Sequence, residues 1–432
     1  MKRLLKKIVP KWAIRLYHWL LANLGALIYR YPSREMIVIG VTGTKGKSTT
    51  SYLITKLLEG LGNKVGLTST IIFKIGKDEW LNDKKMTMLG RFHLQKMLRQ
   101  MANEECKYAI IETSSEGIAQ YRNKGIDYDV ALFTNLSPEH IEAHGSYDKY
   151  KKAKAKLFSY LERGRDKGVP KTAIINIDDK ETDYFLGFNN NNIGYTLKDS
   201  YKKQAKSIIS AKNLRIDELG IKFFISGIEF KSKLLGEFNA YNLLAAITCC
   251  NALGKKLEEL VKGVKEIESV PGRMEFINEG QNFQVIVDYA HEPASMRALY
   301  GIVREIPHKR VIHIFGATGG GRDKSRRPIL GEITDQNANI IILTNDDPYD
   351  ENQEKIVSDI KKGIKKKKEG ESLFVIMDRE KAIELSIDSA EDGDIVLITG
   401  KGSEQKIAID GKMLPWDDRK IARTYLQNKN TH

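Results

Sequence analysis

Cysteine is scarce in this chain: three residues, Cys106, Cys249 and Cys250, in 432. Two are adjacent and cannot staple a fold, and none has the spacing of a metal ligand, so a disulfide framework and a zinc knuckle are excluded. The setting this implies is reducing and cytoplasmic, with the adjacent pair packed in a helix. Acidic residues are missing from residues 1–34, which hold eight Lys or Arg. The apolar, aromatic stretch 12–31 is broken by Arg15, His18 and Arg30, which makes it too polar for a membrane span. No small-residue cleavage signature of a secretory leader follows it. Two readings stay open for this stretch: an amphipathic helix on a membrane surface, or a helix packed on the protein itself. No basic, aromatic-rich nucleic-acid motif is present, so no nucleic acid is expected as a partner. No fixed-period repeat appears.

What is present describes a large globular protein. A chain of 432 residues, 41% hydrophobic and 29% charged, exceeds one ordinary core and implies two or three domains. The net charge of +14 suits an anionic substrate or an acidic membrane surface. Part of that excess lies in the lysine run 361–368, which reads as a solvated helix face.

The most informative segment is 36–50, MIVIGVTGTKGKSTT. It reads as a buried strand, a glycine-rich turn, and a helix opening at Lys47, Ser48 and Thr49. Glycines let the backbone of Gly43, Thr44, Lys45 and Gly46 wrap a phosphate, and the helix start points N–H groups at it. Lys47 would offset phosphate charge and the Ser48 hydroxyl would hold Mg²⁺. Val41 stands where the strict P-loop pattern has glycine.

Strand-like runs at 36–41, 108–112, 129–134 and 172–177 alternate with helical stretches, which predicts parallel strands joined by crossover helices. Functional residues should then gather at the carboxyl ends of the strands. Alternating residues in 206–237 predict an appended antiparallel hairpin, followed by a helix over 239–253. Val270-Pro271-Gly272 punctuates the chain. Beyond it, runs at 283–287, 310–315, 339–343, 372–376 and 394–399 predict a second α/β unit. The expected division is a basic helical segment 1–35, a P-loop domain 36–269 and a Rossmann-like domain 270–432. Glu112 ends one strand opposite the P-loop and His140 lies on the same sheet edge, which together suggest metal ligation.

These segments carry a resemblance. GTKGKST (43–49), ETSSEG (112–117), FTNLSPEHIEAHG (133–145), YKKAKAKLF (150–158), NIDD (176–179), GEFNAYNLLAA (236–246), VPGRME (270–275), DYAHEP (288–293), FGATGGGRDKSRRP (315–328), NDDP (345–348) and GKGSE (400–404) run in the order of the Mur ligase family. Within it the chain is most similar to the enzymes that add the third residue of the peptidoglycan stem peptide. The resemblance implies an ATP-dependent, ADP-forming amide ligase acting on a muramoyl-peptide nucleotide acceptor and an amino acid. It implies ATP and two Mg²⁺ ions, with Ser48, Glu112, His140 and a carbamylated Lys154 as metal ligands. Lys47, Lys154, His140 and Glu112 would carry the catalysis. Asn239, Asn242, Arg273, Asp288 and His291 would contact the nucleotide. Thr87, Ser114, Ser115, Arg327, Asp346, Asp347, Gly400 and Glu404 would contact the acceptor or amino acid, with Arg327 taking the α-carboxylate. Asn239 as a helix cap and Arg273 as an ion-pair partner are the plain structural alternatives.

The pattern also departs from the family. Only about 35 residues precede the first strand, too few for the family's UDP-binding domain; the basic segment stands there, a candidate for peripheral contact with the inner face of the membrane. Thr87-Met88-Leu89 replaces Thr-Thr-Pro, and Glu116 replaces a histidine. Asp346-Asp347-Pro348-Tyr349 replaces the Asp-Asn-Pro-Arg of diaminopimelate enzymes, losing a bidentate carboxylate clamp. Gly400 and Glu404 retain the positions that meet a distal amine, so a diamino acid is the expected substrate, with lysine, another diamino acid and diaminopimelate all left open. The alternatives are a ligase for a folate polyglutamate or cyanophycin-like acceptor, and a non-catalytic membrane-associated homologue.

Overall fold

The computed structural model describes residues 10–138, 144–188, 191–199 and 205–430. The chain forms two compact units. The first takes Met1–Trp80, Met86–Ile216 and Gly220–Glu268, and the second takes Ser269–His432 with the short segments Leu81–Lys85 and Asp217–Leu219. The N-terminal helix Lys11–Ile28 is part of the first unit.

The first unit is built on one sheet of eleven strands. Its centre comprises β1 (Ile37–Thr42), β2 (Val65–Thr68), β5 (Tyr108–Glu112), β6 (Val130–Phe133), β7 (Thr172–Asn176), β8 (Asn192–Thr196) and β9 (Ser207–Asp217), ordered β9-β8-β7-β6-β1-β5-β2. Every neighbouring pair in that run is parallel. The central strands are almost wholly buried because helices cover both faces, which explains their continuous Ile and Val runs. Additions flank the run: β3 (Ile72–Ile75), antiparallel to β2, with β4 (Asp78–Leu81) beyond it, and on the other side β10 (Gly220–Ile225) with its antiparallel partner β11 (Ile228–Ser232). The latter is the hairpin expected from the alternation in 206–237. The helix after it, Glu237–Ala252, buries Cys249 and Cys250 completely. Burial pushes the Cys250 thiol up to about 12, so the pair serves packing.

The core between β1, β5, β6 and the helix Tyr147–Arg163 is rich in aromatics. Phe133 stacks on Phe185 with centroids 3.8 Å apart, and Phe158 meets Phe185 edge-on. Asp129 is fully buried, accepts the Val38 N–H at 2.8 Å and pairs with Lys167 and Lys171. This carboxylate ties the start of β6 to β1.

The second unit holds a six-stranded sheet. Strands β12 (Glu275–Ile277), β13 (Gln284–Asp288), β14 (Val311–Phe315), β15 (Ile340–Leu343), β16 (Leu373–Val375) and β17 (Ile395–Thr399) are ordered β12-β13-β17-β14-β15-β16. All pairs are parallel except β12–β13. A two-stranded ribbon, β18 (Lys406–Ile409) with β19 (Lys412–Pro415), follows. The α/β class, with a mainly parallel P-loop sheet, a hairpin and a Rossmann-like second sheet, agrees with the sequence reading. The short strands β2, β3, β8, β12, β18 and β19 were not foreseen; each is three to five residues and too brief to give a period.

Candidate active site

In the first unit the carboxyl ends of β1, β5 and β6 converge. The turn after β1 runs through Gly43 at φ 154° and Gly46 at φ 78° into the helix Lys47–Gly60. A Cβ on Gly43 would stand 1.9 Å from Thr134 Oγ1, and one on Gly46 would stand 2.3 Å from Asn242 Oδ1. No side chain fits at either position, and both backbone angles favour glycine. The turn is also held from behind. The Lys45 N–H donates to Asn135 Oδ1 at 2.9 Å and Thr134 Oγ1 donates to the Lys45 carbonyl at 2.7 Å. Asn242 accepts from Thr50 Oγ1 at 3.3 Å and donates to Asn239 Oδ1 at 3.1 Å, while Asn239 donates to the Leu235 carbonyl. Here the two asparagines brace the loop from the helix Glu237–Ala252. Gly236, not Asn239, is that helix's cap residue.

Glu112 ends β5 with its carboxylate almost fully buried. Its Oε1 accepts the Ser48 hydroxyl at 2.9 Å and its Oε2 accepts the Thr70 N–H at 2.6 Å. Thr70 Oγ1 lies 3.1 Å from Thr87 Oγ1, which links the predicted acceptor threonine to the same cluster. Lys47 Nζ donates to the Thr44 carbonyl at 2.8 Å. Lys154 lies within the helix Tyr147–Arg163, buried, donating to the Gly43 carbonyl with its Nζ 4.5 Å from the Tyr150 ring centre. The Tyr150 hydroxyl lies 3.1 Å from Thr44 Oγ1. Thus Lys47, Ser48, Glu112 and Lys154 meet around one glycine turn. Among the described residues no three His, Cys, Asp or Glu side chains form a metal-binding group. The Ser48 hydroxyl and Glu112 carboxylate are nevertheless a pair of hard oxygen donors of the kind Mg²⁺ takes. The predicted ligand His140 lies outside the described residues.

Of the paired serines, Ser114 caps the helix Ser115–Ala119 by accepting the Gly117 N–H at 3.1 Å, and Ser115 Oγ lies 3.0 Å from His144 Nε2. Burial pushes the His144 imidazole down, which favours its neutral form.

In the second unit the site-forming residues again sit at strand ends. Asp288, closing β13, accepts N–H groups from Met274 at 2.8 Å and Ala290 at 2.7 Å. Burial raises its carboxyl above the usual range, against the pull of Arg273. The Arg273 guanidinium stacks 4.1 Å from the Tyr289 ring centre. His291 Nδ1 lies 2.7 Å from the Tyr289 carbonyl; burial, helped by Arg326, Arg273 and Arg322, pushes the imidazole down to about 3 and keeps it neutral.

The ends of β15 and β17 build an acidic cluster. Asp347 accepts from Lys401 at 3.0 Å and from Lys85 at 2.5 Å, and Glu404 accepts from Lys401 at 2.5 Å, from Lys85 at 3.2 Å and from the Tyr289 hydroxyl at 3.3 Å. Burial works against ionising Asp347, but Lys401 and Lys85 outweigh it and hold the carboxyl low. Burial and the neighbouring Asp347 charge push Asp346 up. Its Oδ2 would lie 3.0 Å from a Cβ on Gly400, so these predicted residues form one group.

Arg327 is a correction. It was expected to take a substrate carboxylate, but it is 0% exposed and its guanidinium grips Glu351 bidentately at 2.9 Å and Asp359 at 3.1 Å. Those charges are internal to the fold, so this arginine is occupied structurally. The Arg327 hydrogen bonds, with help from Lys324, hold the Glu351 carboxyl down to about 2. A depressed folded pKa stabilises above the unfolded value and loses that stabilisation as pH falls through the folded one. Glu351→Gln should therefore lower the urea midpoint at pH 7, and the gap from wild type should close between pH 4.5 and 2. A gap independent of pH would refute the assignment.

Comparison with known proteins gives the family. The model of the Mur ligase middle domain matches residues 41–250, and that of the Mur ligase glutamate ligase domain matches residues 272–402. The chain belongs to the Mur ligase family. A UDP-N-acetylmuramyl-tripeptide synthetase of Roseiflexus sp. is 36% identical over 94% of this Mur ligase and 81% of the relative. A UDP-N-acetylmuramoyl-L-alanyl-D-glutamate--2,6-diaminopimelate ligase of Geobacillus kaustophilus is 35% identical over 95% of the chain and 82% of the relative. A solved structure of a ligase with that same name is 31% identical, with a TM-score of 0.61 over 92% of this chain and 79% of the other. Folylpolyglutamate synthase of Mycobacterium tuberculosis superposes with a TM-score of 0.68 over 89% of this chain and 93% of the other, but at 15% identity it shares the fold alone.

Thr134 and Asn135 fall at a strand end where the sequence places functional residues, whereas Thr70, Tyr150 and Asn176 were not singled out as site-shaping. Asn176 donates to the Thr134 carbonyl at 2.8 Å and so supports the wall behind the glycine turn. The available signal was that Thr134, Asn135 and Asn176 end parallel strands, where ligands gather.

Proposed function

We propose that this Mur ligase joins an amino acid bearing a second amino group to a UDP-N-acetylmuramoyl-dipeptide-type acceptor, in an ATP-dependent, ADP-forming reaction. The observation that carries the proposal is the Ser48–Glu112 pair, 2.9 Å apart beneath a glycine turn that admits no side chain. The names of the relatives support the acceptor and the diamino substrate.

The γ-phosphoryl group of ATP would convert the acceptor carboxylate into an acyl phosphate, whose phosphate is the leaving group, with release of ADP. Lys47 and the helix start offset the phosphate charge. Ser48 and Glu112 would hold one Mg²⁺, and His140 with Lys154, were its amine carbamylated by CO₂ with loss of a proton, would hold a second; the ions would offset charge on the transferred phosphoryl group. Thr87, Ser114 and Ser115 line the acceptor side. Arg273, Asp288 and His291 form a nucleotide-contacting group in the second unit; His291, neutral and donating Nδ1–H to the Tyr289 carbonyl, keeps Nε2 as an acceptor. The amine nitrogen attacks the activated carbonyl, phosphate leaves and the ammonium proton is released. Asp346, Asp347, Gly400 and Glu404 select the substrate's distal amine. Lys85 supports that role: its ammonium already sits against Asp347 and Glu404. The reading places the protein in the cytoplasm, at the inner face of the membrane; among the described residues no helix is long and apolar enough to cross one.

ADP release is the test. With both the muramoyl-dipeptide nucleotide and a diamino acid present, release should be fast, and omission of either should abolish it. A panel of lysine, ornithine, diaminopimelate and the standard amino acids should rank the diamino acids first. Turnover with a folate and glutamate, and none with the muramoyl acceptor, would overturn the proposal.

A further inference from the structure

The helix Lys11–Ile28 is amphipathic in an inverted sense. Its inner seam is made of small residues. Ala22 and Ala26 are 1% and 0% exposed, and a Cβ on Gly25 would lie 3.6 Å from Phe92 Cα of the helix Arg91–Asn103. Its large apolar residues face outward: Trp12 is 68% exposed, Leu16 49%, Leu20 53%, Leu24 46% and Leu27 61%. Spacings of four, four, four and three put these five on one stripe. Tyr17, Trp19 and Ile28, at 59%, 40% and 55% exposure, widen it. A contiguous apolar face of this length marks a contact surface rather than a solvated one.

We propose that this face docks on an anionic lipid bilayer, with the helix lying in the interface plane. Three observations choose that occupant. Residues 1–34 carry eight Lys or Arg and no Asp or Glu, which complements anionic headgroups and would repel in a symmetric pairing of two copies. Trp12, Tyr17 and Trp19 are the amphipathic aromatics that settle at headgroup depth. Lys11, Arg15, His18 and Asn23 leave this helix insufficiently apolar to span the membrane, which favours lying on it. The seam of Ala22, Gly25 and Ala26 fixes the helix to the first unit, so the catalytic fold would ride at the surface. The proposal deepens the location suggested above by naming the surface and its partner, and it uses none of the ligation chemistry.

The test is cosedimentation of the full chain with vesicles of phosphatidylglycerol and phosphatidylcholine, against phosphatidylcholine alone. The wild type should bind the anionic vesicles, and rising salt should weaken binding. The triple substitution Leu16→Glu, Leu20→Glu, Leu24→Glu should reduce partitioning by on the order of tenfold or more. Arg15→Glu should reduce it less. Circular dichroism should show the fold kept, and ADP release on soluble substrates should be unchanged in these variants, which separates failure of the anchor from failure of the ligase reading. No binding to anionic vesicles would overturn the proposal. So would a wild-type dimer that the triple substitution converts to monomer, because the face would then be covered by a second copy.

Discussion

Lys47→Ala should cut ADP formation by about 10²–10³-fold, the cost of removing one charged donor from a site that stabilises developing phosphoryl charge. The loss should appear mainly in kcat. The glycine turn should survive, because its shape is set elsewhere: Thr134 and Asn135 hold Lys45, and Asn242 packs against Gly46. Lys47 contributes a bond to the Thr44 carbonyl within its own turn. Unchanged thermal unfolding together with lost ADP release is therefore the expected pair of results. Activity within threefold of wild type would remove the phosphate role from Lys47, and with it the ligase chemistry proposed for the first unit.

The second large effect belongs to the second unit. Arg379 and Asp418 are both buried and form a bidentate pair, Nε to Oδ1 at 2.8 Å and NH2 to Oδ2 at 2.6 Å. The same guanidinium donates to the Asn345 carbonyl at 3.0 Å and the Thr399 carbonyl at 2.9 Å, and Trp416 Nε1 donates to Asp418 at 2.7 Å. Asn345 and Thr399 immediately precede Asp346 and Gly400, so one cation pins both strand ends of the acidic cluster. Asp418→Asn leaves Arg379 buried without its counter-charge and should cost about 3–5 kcal/mol in urea unfolding. The double substitution Arg379→Met, Asp418→Leu removes both charges and should recover most of that stability. It should not recover the KM for the amino acid, because the two carbonyls lose their common donor. A single variant within about 1 kcal/mol of wild type would show the pair to be energetically idle.

Much of the first unit's site was legible because it is local. Gly43, Gly46, Lys47 and Ser48 fall within six positions, and a buried strand before them announces the turn. Glu112 was legible as the last residue of a strand. The second unit was legible as strands and motifs but not as partnerships. Arg327 stood in a promising arginine-rich run, yet it folds inward onto Glu351 and Asp359. Asn239 and Asn242 read as ligand contacts in the sequence; in the structure they brace the glycine turn. Tyr349, which replaces the expected arginine, sits at φ 54° within reach of the Lys85 ammonium, a relation that spacing does not reveal.

The alternation of the longer strands with helices, the phosphate-type turn, the family and the one-signed charge of the first 34 residues belong to the sequence alone, because each is a property of neighbouring residues or of composition. The tertiary structure decided which polar groups meet: Thr134 and Asn135 behind the turn, Arg379 with Asp418, and the small seam that turns leucines and tryptophans of the first helix outward. Those meetings join residues tens of positions apart, and they depend on the spatial order of parallel strands, which burial on both faces leaves unwritten in the hydrophobic pattern of any one strand.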